Sequence, residues 1–129
     1  MMRIPAALLT LLLALPSHAG LTDAAWQALA ERDPGQAATL LRAEVARGNA
    51  NAERHYLLAR AEFLSKRYDA ALEAADVVRE KFAKSPFARK ANFLRADCFV
   101  ARKDFQKADD VYLAEAKTLV SLDRKEEVA

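Results

Sequence analysis

Apolar residues recur every three or four positions along most of this chain, which is the pattern of helices that bury one face. The pattern is clearest over residues 68–82, where it is carried by Tyr68, Ala71, Leu72, Ala75, Val78 and Phe82. Gly, Pro, Asn and basic pairs interrupt it at short intervals and predict turns. The sequence therefore predicts six helices, near residues 22–32, 34–47, 52–65, 68–83, 86–101 and 105–122.

Residues suited to helix ends stand at these boundaries. Side chains that can accept hydrogen bonds from a first helical turn precede four of the helices: Thr22, Asp33, Asn51 and Ser85. Proline follows Asp33 and Ser85, and its fixed φ suits the first position of a helix. Gly48 is expected to end the second helix, because glycine readily adopts the left-handed conformation of many helix C-termini.

Four positions repeat at an offset of 37 residues (93−56, 96−59, 105−68 and 108−71). Tyr56, Ala59, Tyr68 and Ala71 recur as Phe93, Ala96, Phe105 and Ala108. The first helix pair fits an offset of 34, which aligns Ala25 with Ala59 and Ala37 with Ala71. Pro34 then stands where the later pairs have an aromatic residue, so we interpret the first repeat as a degenerate one.

The segments 58–72 and 95–109 resemble tetratricopeptide repeats. In each, a small residue is followed nine positions later by an aromatic residue and three positions after that by alanine. The resemblance implies an all-α fold, an α-solenoid of three antiparallel helix pairs wound into a right-handed superhelix. Glu62 stands where the family usually has an aromatic residue, so Phe63 is expected to pack there. Residues 82–93 resemble the tetratricopeptide domains of bacterial cell-envelope proteins.

In this family the first helices of successive pairs line an inner face that holds ligands. The resemblance places on that face Thr22, Trp26, Glu53, Tyr56, Arg60, Lys90, Phe93 and Asp97. Aromatic residues beside charges of both signs suit a protein or peptide partner in the cell envelope. Two alternatives stay open: Tyr56 and Phe93 pack between repeats, and Trp26 pairs with Leu21 as a hydrophobic staple of the first helix.

The sixth helix ends the predicted array. Its core face is expected to hold Phe105, Ala108, Tyr112, Ala116 and Leu119, and to exclude Val111, Leu113 and Val120. Apolar residues away from the core would invite a partner or a second copy. The alternative function is therefore an accessory subunit or homo-oligomer that acts through the exposed face of this helix.

Residues 1–19 have the three parts of a secretory signal peptide. Arg3 is followed by an apolar core over residues 4–15, and small residues stand at Ser17 and Ala19. Cleavage would leave a repeat domain over residues 20–123 and a frayed polar tail over 124–129, with no further apolar run to insert into a membrane. The predicted location is the periplasm. The alternatives are secretion and a membrane anchor formed by an uncleaved signal.

The composition offers little reaction chemistry. The formal net charge of +2 and the mixing of acidic with basic residues disfavour a nucleic-acid partner. His55 and Cys98 are too few for a structural zinc site, and three glycines leave no phosphate-binding loop. We interpret His55 as a partly exposed helical residue and Cys98 as a small buried one. The sequence thus predicts a protein that is not an enzyme and that uses no cofactor or metal.

Overall fold

A computed structural model describes residues 21–128, and these residues form six α-helices and no strand. The helices are α1 (Asp23–Arg32), α2 (Pro34–Ala46), α3 (Ala52–Leu64), α4 (Tyr68–Lys81), α5 (Phe87–Ala101) and α6 (Phe105–Val128). The predicted all-α class is confirmed. The predicted signal peptide lies outside the described residues.

Side chains before the helices fix where they begin. Thr22 Oγ1 accepts a hydrogen bond from the Ala25 amide at 3.1 Å, and Asp33 Oδ1 accepts one from Gln36 at 3.1 Å. Asn51 caps α3 in the same way, its Oδ1 accepting from the Arg54 amide at 3.0 Å. Before α5, Ser85 Oγ accepts from the Phe87 amide at 3.0 Å, but the residue at the N-cap position is Pro86. The predicted starts are confirmed to within one residue, because these signals act within one turn of the chain. Helix α5 begins at Phe87, one residue later than predicted, so Pro86 is not its first helical residue. The last helix differs, since it continues to Val128 through the residues predicted to fray.

Three helices end in the same kind of turn. After α2, α3 and α5, a backbone amide donates to the carbonyl five residues earlier: Asn49 to Glu44, Arg67 to Glu62, and Asp104 to Phe99. This bond satisfies carbonyls that the end of a helix leaves without a partner. Gly48 lies at the middle of the first of these turns with φ of 76°, which confirms its predicted role as the end of the second helix.

Each helix packs against the next one in the chain, and α3 also packs against both α1 and α5. In contrast, α2 and α4 make no close contact with each other in the part of the chain that the structure describes, and neither do α4 and α6. Helices α1, α3 and α5 therefore form one continuous layer. Helices α2, α4 and α6 form a second layer whose members are held through the first.

The four alanines of the 37-residue repeat lie inside this packing. Ala59, Ala71 and Ala96 have no exposed surface, and Ala108 is 2% exposed. Small residues at these places let helix axes approach closely. Around them the core holds Trp26, Leu41, Leu57, Leu58, Val78 and Leu94. The repeat seen in the sequence therefore marks helix contacts.

The predicted core face of α6 is wrong. Phe105, Tyr112, Ala116 and Leu119 are all exposed, and of the five predicted residues only Ala108 is buried. Val111, predicted to lie off the core, is partly buried, while Leu113 and Val120 are exposed as predicted. The difference arises because no described helix comes after α6, so the face that would meet a next helix stays open to solvent.

A buried carboxylate joins three segments near the end of α3. Glu62 is 2% exposed, and its Oε1 lies 3.0 Å from Arg42 Nε on α2. Its Oε2 lies 2.9 Å from Arg67 Nε in the turn that leads to α4. Phe63 packs against Tyr68 with ring centroids 5.7 Å apart, as predicted from the glutamate at the preceding position. Position 62 is a packing position in the family that the sequence resembles, but the local pattern does not indicate that a charged side chain is buried there.

Candidate functional site

The layer formed by α1, α3 and α5 carries an open cleft of about 510 Å³. Its lining residues are Ala24, Gln27, Ala28, Glu31, Tyr56, Leu57, Arg60 and Lys90. Three of the residues predicted for a binding face, Tyr56, Arg60 and Lys90, are thus brought together. The cleft exists because α1 and α3 lie side by side and the start of α5 closes its far end.

Arg60 spans the cleft floor to α1. Its guanidinium lies 2.6 Å from Glu31 Oε1 and donates a hydrogen bond to it. This hydrogen bond raises the pKa of Arg60, so the side chain is charged at every relevant pH. Because Glu31 neutralises most of that charge, Arg60 presents planar N–H groups more than net positive charge.

An aromatic pair supports the opposite wall. The Tyr56 ring packs against Phe87 with centroids 5.7 Å apart, and the Lys90 ammonium lies 5.3 Å from the centroid of the same Phe87 ring. Phe87 therefore positions both lining residues, one by ring contact and one by cation–π attraction. No ion pair joins Lys90 to a carboxylate among the described residues, although its charge acts on the nearby Glu53.

Glu53 lies one turn before Tyr56 on α3, at the edge of the cleft. Gln27 Nε2 of α1 donates to its Oε1 at 3.4 Å. Burial raises the pKa of Glu53, and the neighbouring Asp23 raises it further. This predicted site residue thus meets α1 beside the cleft and extends the polar rim.

Phe93 and Asp97 lie in a separate cluster between α5 and α6. The Phe93 and Tyr112 rings have centroids 6.2 Å apart, and the Tyr112 hydroxyl donates to Asp97 Oδ1 at 3.4 Å. Burial raises the pKa of Asp97. The predicted set therefore divides into a cleft group and this second group, and Tyr112 is a member that the sequence did not indicate.

Trp26 does not belong to the surface. It has no exposed area and lies in the core with Ala30 and Leu41, so its assignment to the binding face is corrected. The cause is the turn length: Asp33 alone connects α1 to α2, whereas three residues connect α3 to α4. The offset of 34 residues aligns α2 with α4, but it is two residues too large to align α1 with α3.

An offset of 32 aligns α1 with α3 instead, since Arg32 and Leu64 then both end a helix. At that offset Trp26 matches Leu58, which is also buried. Ala24 matches Tyr56 and Ala28 matches Arg60, and all four line the cleft. Helix α1 therefore places small side chains where α3 places large ones, which leaves the open volume.

Sequence reasoning missed Gln27, Glu31 and Phe87. Gln27 and Glu31 lie on α1, and the incorrect offset of 34 aligns them with the wrong residues of α3. Counting the turn residues between helices would have located them. Phe87 is predicted only as part of a helix start, and nothing in its local sequence indicates that it supports Tyr56 and Lys90.

Other candidate chemistry is weak. Cys98 is fully buried, and burial together with the nearby Asp97 raises the pKa of its thiol to about 11, so the thiolate is scarce. Within residues 21–128, no group of three or more His, Cys, Asp or Glu is placed to hold a metal ion. In the same range, none of the helices combines the length and the apolar character needed to cross a membrane.

Comparison with family models, with curated proteins and with solved structures finds no match for this chain. Its function must therefore be inferred from the cleft and from the exposed surfaces themselves. The cleft combines an aromatic ring, a planar guanidinium, an ammonium without an ion-pair partner among the described residues, and alanine walls. That combination can hold an extended or helical segment, because it offers apolar contact and several hydrogen bonds along one line.

Proposed function

We propose that the chain is an exported, non-enzymatic scaffold of three tetratricopeptide-like repeats, which binds a protein or peptide partner in the cell envelope. The cleft between α1, α3 and α5 is its binding site. The observation that carries the proposal is the meeting of Tyr56, Arg60 and Lys90 around about 510 Å³ of open space.

The repeat assignment is supported by features at matching positions. The repeat alanines Ala59 and Ala96 are both fully buried, and so is Ala71 on the second helix. The alternate contacts of α3 with α1 and α5 are those that stacked helix pairs make. In such a stack the first helices of each pair line the concave face, and the cleft is formed by those first helices.

The chemistry of the cleft favours a partner segment with an acidic group and an apolar side chain. Lys90 has no ion-pair partner among the described residues, and it would attract a carboxylate of the ligand. Tyr56 and the walls formed by Ala24 and Ala28 would receive an apolar side chain. Arg60, held by Glu31, would donate to the ligand backbone.

The proposal of export rests on residues 1–19 of the sequence, and the proposal that the protein catalyses nothing rests on the poor supply of reactive groups. The one thiol is buried and protonated. His55 is partly buried, and the centroid of its ring lies 5.5 Å from that of the Phe82 ring. Among the described residues, no nucleophilic side chain forms a hydrogen bond with His55. A role in holding another protein is therefore the function that these residues support best.

Photo-crosslinking in intact exporting cells tests the binding site. A crosslinking amino acid at Gln27 in the cleft should capture a defined partner, whereas the same group at the exposed Glu80 on α4 should not. Tyr56→Ala and Lys90→Glu, each tested with the group at Gln27, should reduce the yield several-fold. Equal capture from Gln27 and Glu80, or capture that both substitutions leave unchanged, would rule out the cleft as the binding site.

A further inference from the structure

Helix α6 carries an apolar stripe on its exposed side. Phe105, Leu113 and Val120 are 59%, 60% and 53% exposed, and Tyr112 and Leu119 are 38% and 41% exposed. At 100° per residue these side chains and Ala116 share one face of the helix. Five of the nine large hydrophobic residues that are exposed in the described chain therefore lie on this stripe.

The second repeat shows what the equivalent face does when it is covered. On α4, Asp76 pairs with Arg95 of α5 at 2.9 Å, and at the exposed edge of this contact Asp69 pairs with Arg102 at 3.0 Å. The positions 37 residues later on α6 are Leu113 and Gln106 (76+37 and 69+37). The ion pairs of the internal contact are thus replaced by an apolar residue and a neutral polar one, on a face that no described helix covers.

We propose that this stripe, defined by Phe105, Tyr112, Leu113, Ala116, Leu119 and Val120, binds the same stripe of a second copy in antiparallel orientation. The contact is isologous: each copy offers the same surface, and a two-fold axis passes between the two α6 helices. This surface is separate from the cleft, and its pairing does not depend on the function proposed for the cleft.

The apolar surface of the stripe needs an apolar counterpart, and the other end of the array does not supply one. Helix α1 exposes mainly polar residues and alanines, and the single large hydrophobic residue exposed at that end of the described chain is Leu21 at 36%. Head-to-tail association would therefore set five apolar side chains against a mostly polar surface. Pairing α6 with α6 buries apolar area on both sides.

Charges beside the stripe fix the orientation. Asp110 and Lys117 are seven residues apart, so they lie on the same flank of α6. Neither forms an ion pair with another described residue. In an antiparallel pair, equal flanks meet, and Asp110 of each copy comes to lie near Lys117 of the other. In a parallel pair, opposite flanks meet, so Asp110 and Lys117 would face the other flank of the second copy and neither attractive pair would form.

The size of the surface predicts a weak dimer. The stripe spans 16 residues (120−105+1), or about 24 Å of helix. One helix-to-helix contact of that length is at the small end of specific interfaces, where complexes dissociate on dilution. Ala116 is the one small residue of the stripe, and it allows the two helices to approach closely.

Sedimentation equilibrium of the mature protein over a range of concentrations tests the proposal. The mass should rise toward that of a dimer below ~1 mM protein. Ala116→Glu should abolish the rise, and Ala114→Glu should leave it unchanged. Both alanines are exposed on α6, but Ala114 points away from the stripe, so the pair is a matched control. Thermal melts verify that both variants fold. A wild type that stays monomeric, or Ala116→Glu dimers as tight as the wild type, would overturn the proposal.

Charge exchange tests the orientation. Asp110→Lys and Lys117→Asp should each weaken dimerisation roughly tenfold, because each interface contains the altered pair twice. The double variant Asp110→Lys/Lys117→Asp should recover the wild-type affinity, since both attractive pairs return with exchanged signs. Single variants that dimerise as well as the wild type, or a double variant no better than the singles, would overturn the antiparallel arrangement.

Discussion

Lys66 and Lys103 lie 37 residues apart (103−66) and adopt the same left-handed backbone conformation, with φ of 62° and 63°. Each stands in the turn after the first helix of its pair. The amide of each lysine donates to the carbonyl three residues earlier, Phe63 and Val100, at 2.9 Å. The repeat therefore extends from side-chain packing into the backbone of the turn, although lysine occupies a position where glycine would be easier.

Replacement of either lysine by glycine should stabilise the protein. A residue with a Cβ atom is strained in the left-handed region, whereas glycine is not, although glycine gains entropy in the unfolded chain. We expect Lys66→Gly and Lys103→Gly each to raise the free energy of unfolding by about 0.5–1 kcal/mol in urea titrations. Lys84→Gly, in a turn whose lysine has no positive φ, is the control and should give no gain. Loss of stability in either variant would contradict the strain assigned to these turns.

Enlarging a repeat alanine should destabilise the helix contact that it makes. Ala71 has no exposed surface, so Ala71→Leu should lower the free energy of unfolding by about 1–3 kcal/mol. Ala108→Leu should cost less, because no described helix packs on the far side of α6, so this helix can move outward. Ala114→Leu, at an exposed position, should stay within about 0.5 kcal/mol of the wild type. Thermal and urea unfolding measure the stability of the three variants. If all three had the same free energy of unfolding, the assigned register of the helices would be wrong.

Glu62 should contribute to stability through its charge. Glu62→Gln keeps the shape of the side chain but leaves Arg42 and Arg67 facing a neutral amide. Both arginines are about half exposed and can turn toward water, so we expect a loss of about 1–3 kcal/mol, less than for a fully buried pair. Glu80→Gln on the exposed side of α4 is the control and should change little. An unchanged urea midpoint for Glu62→Gln would show that its ion pairs contribute no net stability.

His55 should make stability depend on pH. Burial, and to a smaller extent Lys81, lowers its pKa in the folded protein below the ordinary value of 6.5. The unfolded chain therefore binds the proton more readily, and stability falls as the pH drops from about 6.5 through the lowered pKa. Above that range both states are neutral at this position and His55 has no effect.

The comparison of wild type with His55→Gln isolates this effect from other titrating groups. Their difference in free energy of unfolding should shift in favour of the variant between about pH 7.5 and pH 5. A difference that stays constant with pH, or an NMR titration of the imidazole at or above its ordinary pKa, would contradict the assignment of His55 as partly desolvated.

The positions of the helices could be predicted from the sequence because their signals are local. Thr22, Asp33 and Asn51 accept hydrogen bonds from amides three residues later. The recurrence of apolar residues every three or four positions indicates which side of an internal helix is buried. The repeat alanines could be located for a related reason: a helix contact needs a small residue at a fixed place, whatever surrounds it.

The candidate site was predicted only in part because it depends on relations between helices. The place of Trp26 depends on the single residue that joins α1 to α2, and an offset taken from α2 does not carry across it. The burial of Glu62 depends on arginines 20 residues before it and 5 after it (62−42 and 67−62). The exposure of Phe105 depends on whether another helix covers α6, and no pattern within α6 itself contains that information.

The contacts between alternate helices have a mechanical consequence. Helices α1, α3 and α5 pack against one another in succession, whereas the backbones of α2, α4 and α6 do not come close to one another within the described chain. The helices are therefore held together along α1, α3 and α5, and the spacing of α2, α4 and α6 can change more easily. Since the outer helices are held only through α1, α3 and α5, a change in the spacing of the outer helices would tilt those three helices against one another and alter the width of the cleft beside Tyr56.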